Sequence, residues 1–584
     1  MLVLSPPPPP PYSLSSPTDT PFRRLRETVT MADVNEKSQP EAVAKTRSAS
    51  FDHNEYGAYT PNIALIEAAA AASSQEALLP RKELASRYWP AAVYSMLLSL
   101  ALVMEGMDVG LINNFFAQPA YLAKFGWPDA DGKQHIPTSW QAAIGNGNNL
   151  GSILGLLLNG YLQARFGSRR VYMFAMALMG ATIFTLFFAV NVQMLFAANI
   201  LCGIPWGIFQ TLTTAYAAEI CPAAMRGYLT AWVSMCWGMG SFLATGVLRA
   251  SLQIEGDASW RVPYALQWVW VVPLFAVGFF APESPWYLIR RGRVDDAERS
   301  LRRLARAGHY TEQTMAETLA LMRHTDEMEK IEAEGATYRD CFRGTNLRRT
   351  GVVCMAWVIQ ILNGQAICSY AAIFLQSAGM PVVQSFNFNM GIQSTNIVGT
   401  AIAISLMGRV GRRVFYLCGS TAIGVAMLVV GVLGFVPSAA SSVSIAVAVV
   451  MIIINFVFKM SLGPTCYVIV GETSSSRVRA QTIVLGRAVY VVGQIIIQQL
   501  NPRMLGNKSD AWNWGAKSGM FYFGLCTVWA VWIFFFLPET KNRSFAELDY
   551  LFQKRVPARQ FASHPVDLFE LTGGDEMKKS GADV

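Results

Sequence analysis

Charge is scarce in this chain. Asp, Glu, Lys and Arg make up 15% of its 584 residues, whereas a soluble domain carries about 25%. Hydrophobic residues make up 52%, and the mean hydropathy is +0.30. The apolar residues fall in runs near the length of about 20 residues that a helix needs to cross a bilayer. The sequence therefore excludes a string of soluble domains and predicts one polytopic protein in a lipid bilayer.

The sequence also lacks the motifs of enzymes, metal sites and nucleic-acid binders. It contains no HExxH, no nucleotide-binding loop and no CxxC spacing among its nine cysteines. Its five histidines all lie outside the apolar runs. The formal net charge of +8 arises in loops, with no basic stripe interleaved with aromatic residues. We therefore expect no enzymatic activity, no cofactor, no metal and no nucleic-acid partner.

The first 86 residues are rich in Pro, Ser and charged residues, and residues 6–11 are all proline. Such a composition cannot bury enough apolar surface to fold, so it predicts a disordered tail. The opening residues lack the positive n-region and the apolar h-region of a signal peptide. Met31 is an alternative start.

Twelve apolar runs follow, six on each side of a polar segment. The predicted domains are a six-helix bundle over 87–289, a central loop over 290–349, a second six-helix bundle over 350–540 and a tail over 541–584. Apolar residues at helical spacing over 294–307 predict an amphipathic helix in the central loop. The predicted spans cover residues 90–113, 140–162, 170–190, 193–216, 227–249, 264–281, 351–374, 388–407, 414–436, 443–470, 480–500 and 518–537.

The distribution of basic residues predicts the orientation. The central loop carries thirteen Arg or Lys residues, the other loops on its side carry nine, and the opposite loops carry seven. Because basic loops stay in the cytoplasm, the central loop and both termini are predicted to be cytoplasmic. Asn507 then lies outside in an Asn-Lys-Ser sequon and is a candidate glycosylation site.

Three motifs occur twice, at the ends of corresponding spans. Residues 165–170 follow the second span, and the similar residues 409–413 follow the eighth. Three repeated motifs in the same order indicate two homologous halves, which is the parallel repeat of a major facilitator fold. The offsets between the copies are nearly constant, at 244 residues from Gly167 to Gly411, 253 from Glu219 to Glu472 and 256 from Glu283 to Glu539.

Four short segments carry a family resemblance. They are residues 105–108, 114–119, 203–207 and 512–514. Through them, and over about residues 90 to 550, the chain resembles the fungal maltose and α-glucoside permeases in the sugar-porter branch of the major facilitator superfamily. The resemblance implies an all-α, monomeric plasma-membrane protein whose halves rock around a central site and carry a sugar inward with a proton.

Two acidic residues of the first span are candidates for proton coupling. A carboxylate within an apolar span costs about 2.5–3.5 kcal/mol on insertion scales, so it usually faces an internal cavity. Glu105 and Asp108 are three residues apart, which predicts that they lie on one face of the helix. The family pattern implies that Asp108 is the coupling acid. The alternative for Glu105 is a structural pairing with a basic group or a place near a helix end, and a structural role stays open for Asp108 as well.

Amides and one aromatic residue of the second half are candidates for solute binding. A sugar needs groups that donate and accept hydrogen bonds, and aromatic faces. By the resemblance, Gln360 matches the first glutamine of the seventh-span motif, Asn396 the eighth-span asparagine and Tyr467 the tenth-span aromatic residue. Gln365 is a further candidate. Hydrogen bonding between helices is the alternative role for each of them.

Charged residues at the cytoplasmic ends of the spans are candidates for gating. The resemblance implies salt bridges that hold the outward-facing state, with Glu219 paired to Arg226, and Glu472 paired to Arg477 or Arg479. The alternative is that these charges only fix the topology. The full set is Arg165, Glu219, Arg226, Arg409, Glu472, Arg477 and Arg479.

The candidate site departs from the permease pattern at several positions. Ser152 stands where a second-span acid is expected, Ser241 where a fifth-span glutamine is expected, and Ala488 where an asparagine is expected beside Arg487. These departures, with Ile361, Ala366 and Ala164, predict a less polar pocket. Three functions stay open: a proton-coupled importer of an α-glucoside or hexose, which the motifs favour, a carrier of another solute such as a secondary metabolite or polyol, and a non-transporting sugar receptor.

Overall fold

The computed structural model describes residues 81–128, 132, 134–333, 337–377, 379–406, 409–436, 441–475, 478–506, 511–541, 543 and 545–564. Residues 1–80 of the predicted tail and the predicted glycosylation site Asn507 lie outside these ranges. The described chain is helical apart from its links and a two-stranded antiparallel ribbon, in which Trp127–Pro128 pairs with Gln134–His135. The prediction of an all-α architecture is confirmed.

Six spans form the first half of the molecule. A short helix, Arg81–Arg87, precedes them, and another, Pro119–Phe125, follows span 1. The bounds are Trp89–Ser99 and Ala101–Phe115 for span 1, Thr138–Phe166 for span 2, Ser168–Phe187 for span 3, Val192–Ile220 for span 4, Ala223–Ser251 for span 5, and Ala258–Ala265 and Trp268–Phe280 for span 6.

Six further spans form the second half, and two of them are interrupted, which the sequence did not predict. Span 7 runs as Gly344–Ile361, then the 3₁₀ segment Gln365–Tyr370, then Ala371–Ser377. Gly364 lies at this break with φ 91°, a left-handed conformation that favours glycine. Span 10 divides at Ser461. The remaining bounds are Val382–Leu406 for span 8, Arg412–Leu433 for span 9, Ser441–Met460 and Leu462–Thr473 for span 10, Arg479–Leu505 for span 11, and Ser518–Phe536, after the 3₁₀ turn Gly515–Lys517, for span 12.

The twelve spans differ in polarity. Within the described ranges, nine of them are long and apolar enough to cross a membrane by composition alone. Spans 2, 5 and 8 are not in that set, and spans 2 and 8 each carry several Asn and Gln residues. Because unpaired amides are costly in lipid, such spans are expected to turn their polar face toward the interior of the bundle.

A row of glycines lets spans 2 and 4 pack backbone to backbone. A Cβ added at Gly151 would lie 2.8 Å from the Cα of Gly203, and one added at Gly155 would lie 3.0 Å from the Cα of Gly207. Real Cβ atoms rarely approach other atoms so closely. Rows of small residues permit this kind of contact between membrane helices. The row of glycines therefore fixes the contact between spans 2 and 4. The other faces of span 2 do not take part in this contact.

Among the described residues, three hydrogen bonds join the two halves at one end of the bundle. Residues 281–343, called here the central segment, leave span 6 and enter span 7. The spans alternate in direction, so spans 1, 5 and 7 end, and span 8 begins, on the side opposite the central segment. There Gln376 Nε2 donates to the Ala117 carbonyl (3.1 Å), Asn389 Nδ2 to Asn114 Oδ1 (2.6 Å) and Arg249 Nε to Asn387 Oδ1 (3.0 Å).

The central segment contains the helices Pro285–Arg290, Val294–Leu304 and Glu312–Ala333 and the 3₁₀ turn Tyr338–Phe342. Ala297, Leu301 and Leu304 are buried along one face of its second helix, which lies where the sequence predicts an amphipathic helix. Span 7 begins at Gly344, earlier than the predicted domain boundary at 350, because the helix extends beyond the apolar run into a polar first turn.

The C-terminal part of the described chain packs against the start of span 7. The helix Phe545–Gln553 buries Leu548 and Leu551, and the 3₁₀ turn Ala558–Gln560 follows it. Arg349, at the start of span 7, forms an ion pair with Asp549 of this helix. Arg348 donates to the Val556 carbonyl at 2.8 Å. The predicted tail over 541–564 is therefore attached to the second half.

Candidate functional site

A cavity of about 300 Å³ lies between the two halves. This volume is at the lower end of the range of small-molecule pockets, about 300–1,000 Å³. Spans 1, 2, 4 and 5 line it from the first half, and spans 7, 8, 10 and 11 line it from the second. The position between two repeated halves, near the middle of the spans, is where transporters of this architecture bind their solutes.

All four predicted solute-binding residues line the cavity. Gln360 Nε2 donates to the carbonyl of Gly463, just after the break in span 10, at 3.0 Å. Gln365 Nε2 donates to Asn455 Oδ1 at 2.9 Å. Tyr467 packs its ring edge-on against Trp357, at 5.0 Å between centroids. Gln360 Oε1 is buried and has no hydrogen-bond donor among the described residues. The amide oxygen of Gln360 thus keeps an unused capacity to accept a hydrogen bond next to the cavity.

Asn455 of span 10 orients the amides of spans 7 and 8, and the sequence did not single it out. Its Nδ2 donates to Asn396 Oδ1 at 2.9 Å, while its Oδ1 accepts from Gln365. Asn396 in turn donates to Gln393 Oε1 at 2.7 Å. Asn455 therefore fixes the orientation of two of the predicted ligands from outside the cavity.

The cavity is more polar than the departures at Ser152 and Ser241 led us to expect. Both serines line it, and so do Ile361 and Ala366. They are outnumbered by amides that sequence reasoning missed. A polar residue in span 2 or span 11 has no counterpart in the repeated motifs, so only its position in an apolar run could have drawn attention to it. These amides are Asn113, Asn114, Asn148, Asn149, Gln210, Gln393, Gln494 and Gln498.

Glu105 is connected to the second half through one amide. Gln210 Nε2 of span 4 donates to Glu105 Oε1 at 2.6 Å, and Gln210 Oε1 accepts from the guanidinium of Arg487 in span 11 at 2.7 Å. The same guanidinium lies over the rings of Tyr490 and Trp357, at 4.4 and 5.3 Å. We call Glu105, Gln210 and Arg487 the bridge. All three residues line the cavity.

Asp108 does not line the cavity, although the sequence predicted one face for the two acids. It is fully buried, and it accepts hydrogen bonds from Trp206 Nε1 at 2.9 Å and from Gln267 Nε2 at 3.1 Å. Residues three apart project in directions that differ by about 60° around a helix. This difference is enough for one side chain to reach the cavity and the other to miss it. Glu105 faces the cavity, and Asp108 faces spans 4 and 6 in the interior of the first half.

Lys459 is a third charged residue in the lining, and the sequence analysis passed over it. It lies in the last turn of the first helix of span 10. Together with Glu105 and Arg487 it completes the charged side chains that line the cavity among the described residues. The signal that pointed to Glu105, a charged residue inside an apolar run, applies to Lys459 as well and could have found it.

The repeated motifs form the same structure twice at the central-segment side. Glu283 accepts from the backbone N–H of Arg169 at the start of span 3 (3.2 Å), and Glu539 accepts from that of Arg412 at the start of span 9 (2.7 Å). A Cβ added at Gly167 or Gly411 would collide with these carboxylates. Burial raises the pKa of Glu283, although the backbone donors act against that shift. The predicted internal repeat is thus confirmed.

Two gating candidates form ion pairs that the sequence did not predict. Glu219 lies 3.5 Å from Arg290 of the central segment, and Glu472 accepts from Arg412 at 2.9 Å. Glu472 also accepts from Thr540 Oγ1 at 2.5 Å. The side chains of the predicted partners Arg226 and Arg477 lie outside the described residues. Neither of these described ion pairs joins the first half of the molecule to the second.

The three remaining gating candidates lie at the same ends of the spans. Arg165 is exposed at the end of span 2 and donates to Tyr161 Oη at 2.7 Å. The backbone carbonyl of Arg409 accepts from Lys541 Nζ at 2.6 Å. Arg479 begins span 11. Their placement agrees with the predicted helix ends, and their gating role stays a prediction.

Known proteins resemble this chain over most of its length. The model of the family described as "Sugar (and other) transporter" matches residues 94–552. The general alpha-glucoside permease of Saccharomyces cerevisiae is 36% identical over 502 residues, 85% of this chain and 81% of the permease. Maltose permease MAL31 of the same species is 35% identical over 503 residues, with the same coverage of 85% and 81%. The partially occluded inward-open xylose transporter XylE from E. coli has a TM-score of 0.63 at 19% identity, covering 78% of this chain and 99% of XylE, and so shares the fold.

Proposed function

The chain belongs to the family of sugar (and other) transporters, and we propose that it takes up an α-glucoside or a hexose together with a proton. It is a transporter and not an enzyme. The curated relatives carry α-glucoside and maltose in their names, and a solved structure of the same fold is a proton:xylose symporter. The amides in the cavity suit the hydroxyl groups of a sugar.

The bridge is the observation on which the proposal of coupling rests. Glu105 is an acid in the cavity lining, and Gln210 links it to Arg487 of the other half. Protonation removes the charge of Glu105, and a hydrogen bond to a neutral acceptor is about half as strong as one to a charged acceptor. A weaker bond to Glu105 leaves Gln210 less well oriented for Arg487. Proton binding therefore loosens the contact between the halves at this point.

The bridge lies on the other side of the cavity from the three hydrogen bonds between the halves. At 1.5 Å per residue, Gln210 is about 15 Å from the end of span 4 at Ile220, which is on the central-segment side. Alternating access requires contacts that open on one side while the other side is closed. We assign the bridge to the central-segment side and the hydrogen bonds of Asn114, Ala117 and Arg249 to the opposite side.

We propose that the central segment and both termini are cytoplasmic, that the membrane is the plasma membrane and that the protein is monomeric. The excess of basic residues in the central segment supports this orientation. The bridge is then the inner gate, and the charged helix ends around Glu219 and Glu472 stabilise the inner ends of each half. A proton that enters from outside with the sugar would reach Glu105 before the inner gate opens.

Asp108 is proposed to act through packing. Its two donors, Trp206 and Gln267, belong to the first half. A proton on Asp108 therefore alters the contacts of span 1 with spans 4 and 6, and not the contact between the halves. Replacing the two acids separately distinguishes these roles.

A carrier of another solute is the second candidate. Ser152 and Ser241 line the cavity where the permease pattern implies an acid and a glutamine. A polyol or a secondary metabolite with fewer hydroxyl groups would suit that part of the wall.

The test is uptake of labelled maltose and glucose into yeast that lacks its own transporters for both sugars, at acid and at neutral pH. We expect uptake that is faster at acid pH, and we expect Glu105→Gln to abolish the pH dependence. Glu83→Gln is the matched control, because Glu83 is exposed and pairs with Arg87 outside the spans. If protein shown to reach the surface takes up neither sugar, the sugar proposal is wrong and the search moves to other solutes.

A further inference from the structure

Lys459 lies near the middle of the membrane. Span 10 runs from Ser441 to Thr473, so Lys459 is about 27 Å from one end and about 21 Å from the other at 1.5 Å per residue. A lysine at the centre of a span is costly to place in lipid. A charge at this depth is therefore expected to face water or a ligand in an internal cavity, and Lys459 does line the cavity.

The other two charges in the lining are linked to each other, and Lys459 is not linked to them. Glu105 and Arg487 share the amide of Gln210. Among the described residues, Lys459 forms no ion pair and no hydrogen bond, and the recorded contact of its ammonium is the ring of Phe458, 5.7 Å away. The cavity thus carries one more positive than negative charge, and Lys459 is the charge without an acidic neighbour.

Lys459 is located among the predicted sugar ligands of the second half. A Cβ added at Gly399 would lie 3.0 Å from the Cβ of Lys459, and Gly399 is one helical turn from Asn396. On the other side, Gly463 lies one turn beyond Lys459 across the break in span 10, and its carbonyl accepts from Gln360. Lys459 therefore belongs to the same part of the cavity lining as Asn396 and Gln360.

We propose that Lys459 binds an acidic group of the solute, so that the transported solute is a sugar that carries a carboxylate. This inference rests on the proposed sugar transport and narrows its substrate class. The neutral amides around Lys459 bind hydroxyl groups, and the ammonium supplies a compact positive charge for one carboxylate. An uncharged sugar would leave that charge without a counter-ion in the closed cavity, where burial of an unpaired charge is costly.

A structural role for Lys459 is the competing explanation. The residue lies in the last turn of the helix Ser441–Met460, where a positive charge interacts favourably with the helix dipole. In that role Lys459 would affect folding, and its loss would change the binding of neutral and acidic sugars equally. A comparison of sugars that differ only in the carboxylate therefore separates the two roles.

The experiment is binding of matched sugar pairs to the purified full-length protein, measured by calorimetry at neutral pH. The pairs are glucose with glucuronate and galactose with galacturonate. We expect the wild-type protein to bind the acidic member of at least one pair about tenfold more tightly, which corresponds to one charge-assisted hydrogen bond. Lys459→Met should remove that preference, so that the two members of the pair bind with affinities within about twofold of each other, and Lys459→Arg should retain it.

The outcomes separate this inference from the proposed function. Equal or tighter binding of the neutral sugars by the wild-type protein would overturn the inference and leave sugar transport standing. Binding of no sugar of either pair would overturn both. Lys124→Met is the control for loss of a lysine, because Lys124 is partly exposed outside the spans beside Asp257. If Lys459→Met fails to fold, Lys459→Gln and the wild-type preference still decide the question.

Discussion

Replacing Gln210 by methionine should open the cavity toward the central-segment side. Methionine is close to glutamine in shape but can neither donate to Glu105 nor accept from Arg487. Of the two hydrogen bonds that Gln210 makes, only the one to Arg487, at 2.7 Å, crosses between the halves. The substitution thus removes one described contact at the central-segment end of the cavity and leaves the three hydrogen bonds on the opposite side in place.

The expected size of the effect follows from the charge on Arg487. A hydrogen bond to a charged group contributes about 1.5–3 kcal/mol, and each 1.4 kcal/mol is about a factor of ten in an equilibrium constant. Water in the cavity can replace part of the lost bond, and Arg487 keeps its contacts with the rings of Tyr490 and Trp357. We therefore expect the equilibrium to shift by about tenfold toward the state that is open on this side.

Labelling of a cysteine in the cavity measures this shift. Ser152→Cys places a thiol in the lining, and a membrane-impermeant maleimide is applied to vesicles of each orientation. Rates are compared with the parent protein, because the natural Cys418 is exposed. Gln494→Met is the matched control, since Gln494 lines the same cavity but donates to Tyr490 within its own half. If Gln210→Met labels within twofold of the control from either side, the bridge does not hold the halves together.

Three further substitutions test parts of the fold. Gly151→Ala should reduce the yield of folded protein in fluorescence-detected size exclusion, because its Cβ meets the backbone of span 4, whereas Gly160→Ala, with no heavy atom within 4 Å, should not. Glu539→Gln should lower the thermal midpoint, because glutamine keeps an acceptor but loses the negative charge at the start of span 9, which stabilises by about 0.3–1 kcal/mol; an unchanged midpoint would count against the cap. Asp549→Asn should release the C-terminal helix from Arg349. Limited proteolysis should then cut the chain faster after residue 541, and an unaltered digest would contradict this prediction.

The architecture could be predicted from the sequence because lipid imposes a simple rule. Every span must satisfy its backbone internally, so helices of about 20 residues recur and are visible as apolar runs. The repeated motifs gave the two halves for a related reason. Gly167 and Glu283 must meet at one helix start, and Gly411 and Glu539 at another, so the pairs recur at nearly constant offsets.

The cavity could be predicted only in part, because a face of a helix is set by its neighbours. The resemblance identified Gln360, Asn396 and Tyr467, and all three line the cavity. Nothing in the local sequence pattern of span 4 shows that Gln210 contacts Arg487. The breaks in spans 7 and 10 were missed for a similar reason. Helices interrupted inside a bundle have their free backbone groups paired by other spans, as Gln360 does for Gly463.

The two halves contribute charges of opposite sign to the cavity, and this division predicts how uptake responds to voltage. Glu105 comes from the first half, and Lys459 and Arg487 come from the second. If a proton neutralises Glu105 while a carboxylate of the solute pairs with Lys459, the proton and the acidic sugar together carry no net charge. Uptake of glucuronate into proteoliposomes should then be insensitive to a potential set with valinomycin and potassium. A neutral sugar with one proton would instead move one positive charge, worth about 2.3 kcal/mol per 100 mV. Acceleration of glucuronate uptake by an inside-negative potential would therefore refute the paired neutralisation.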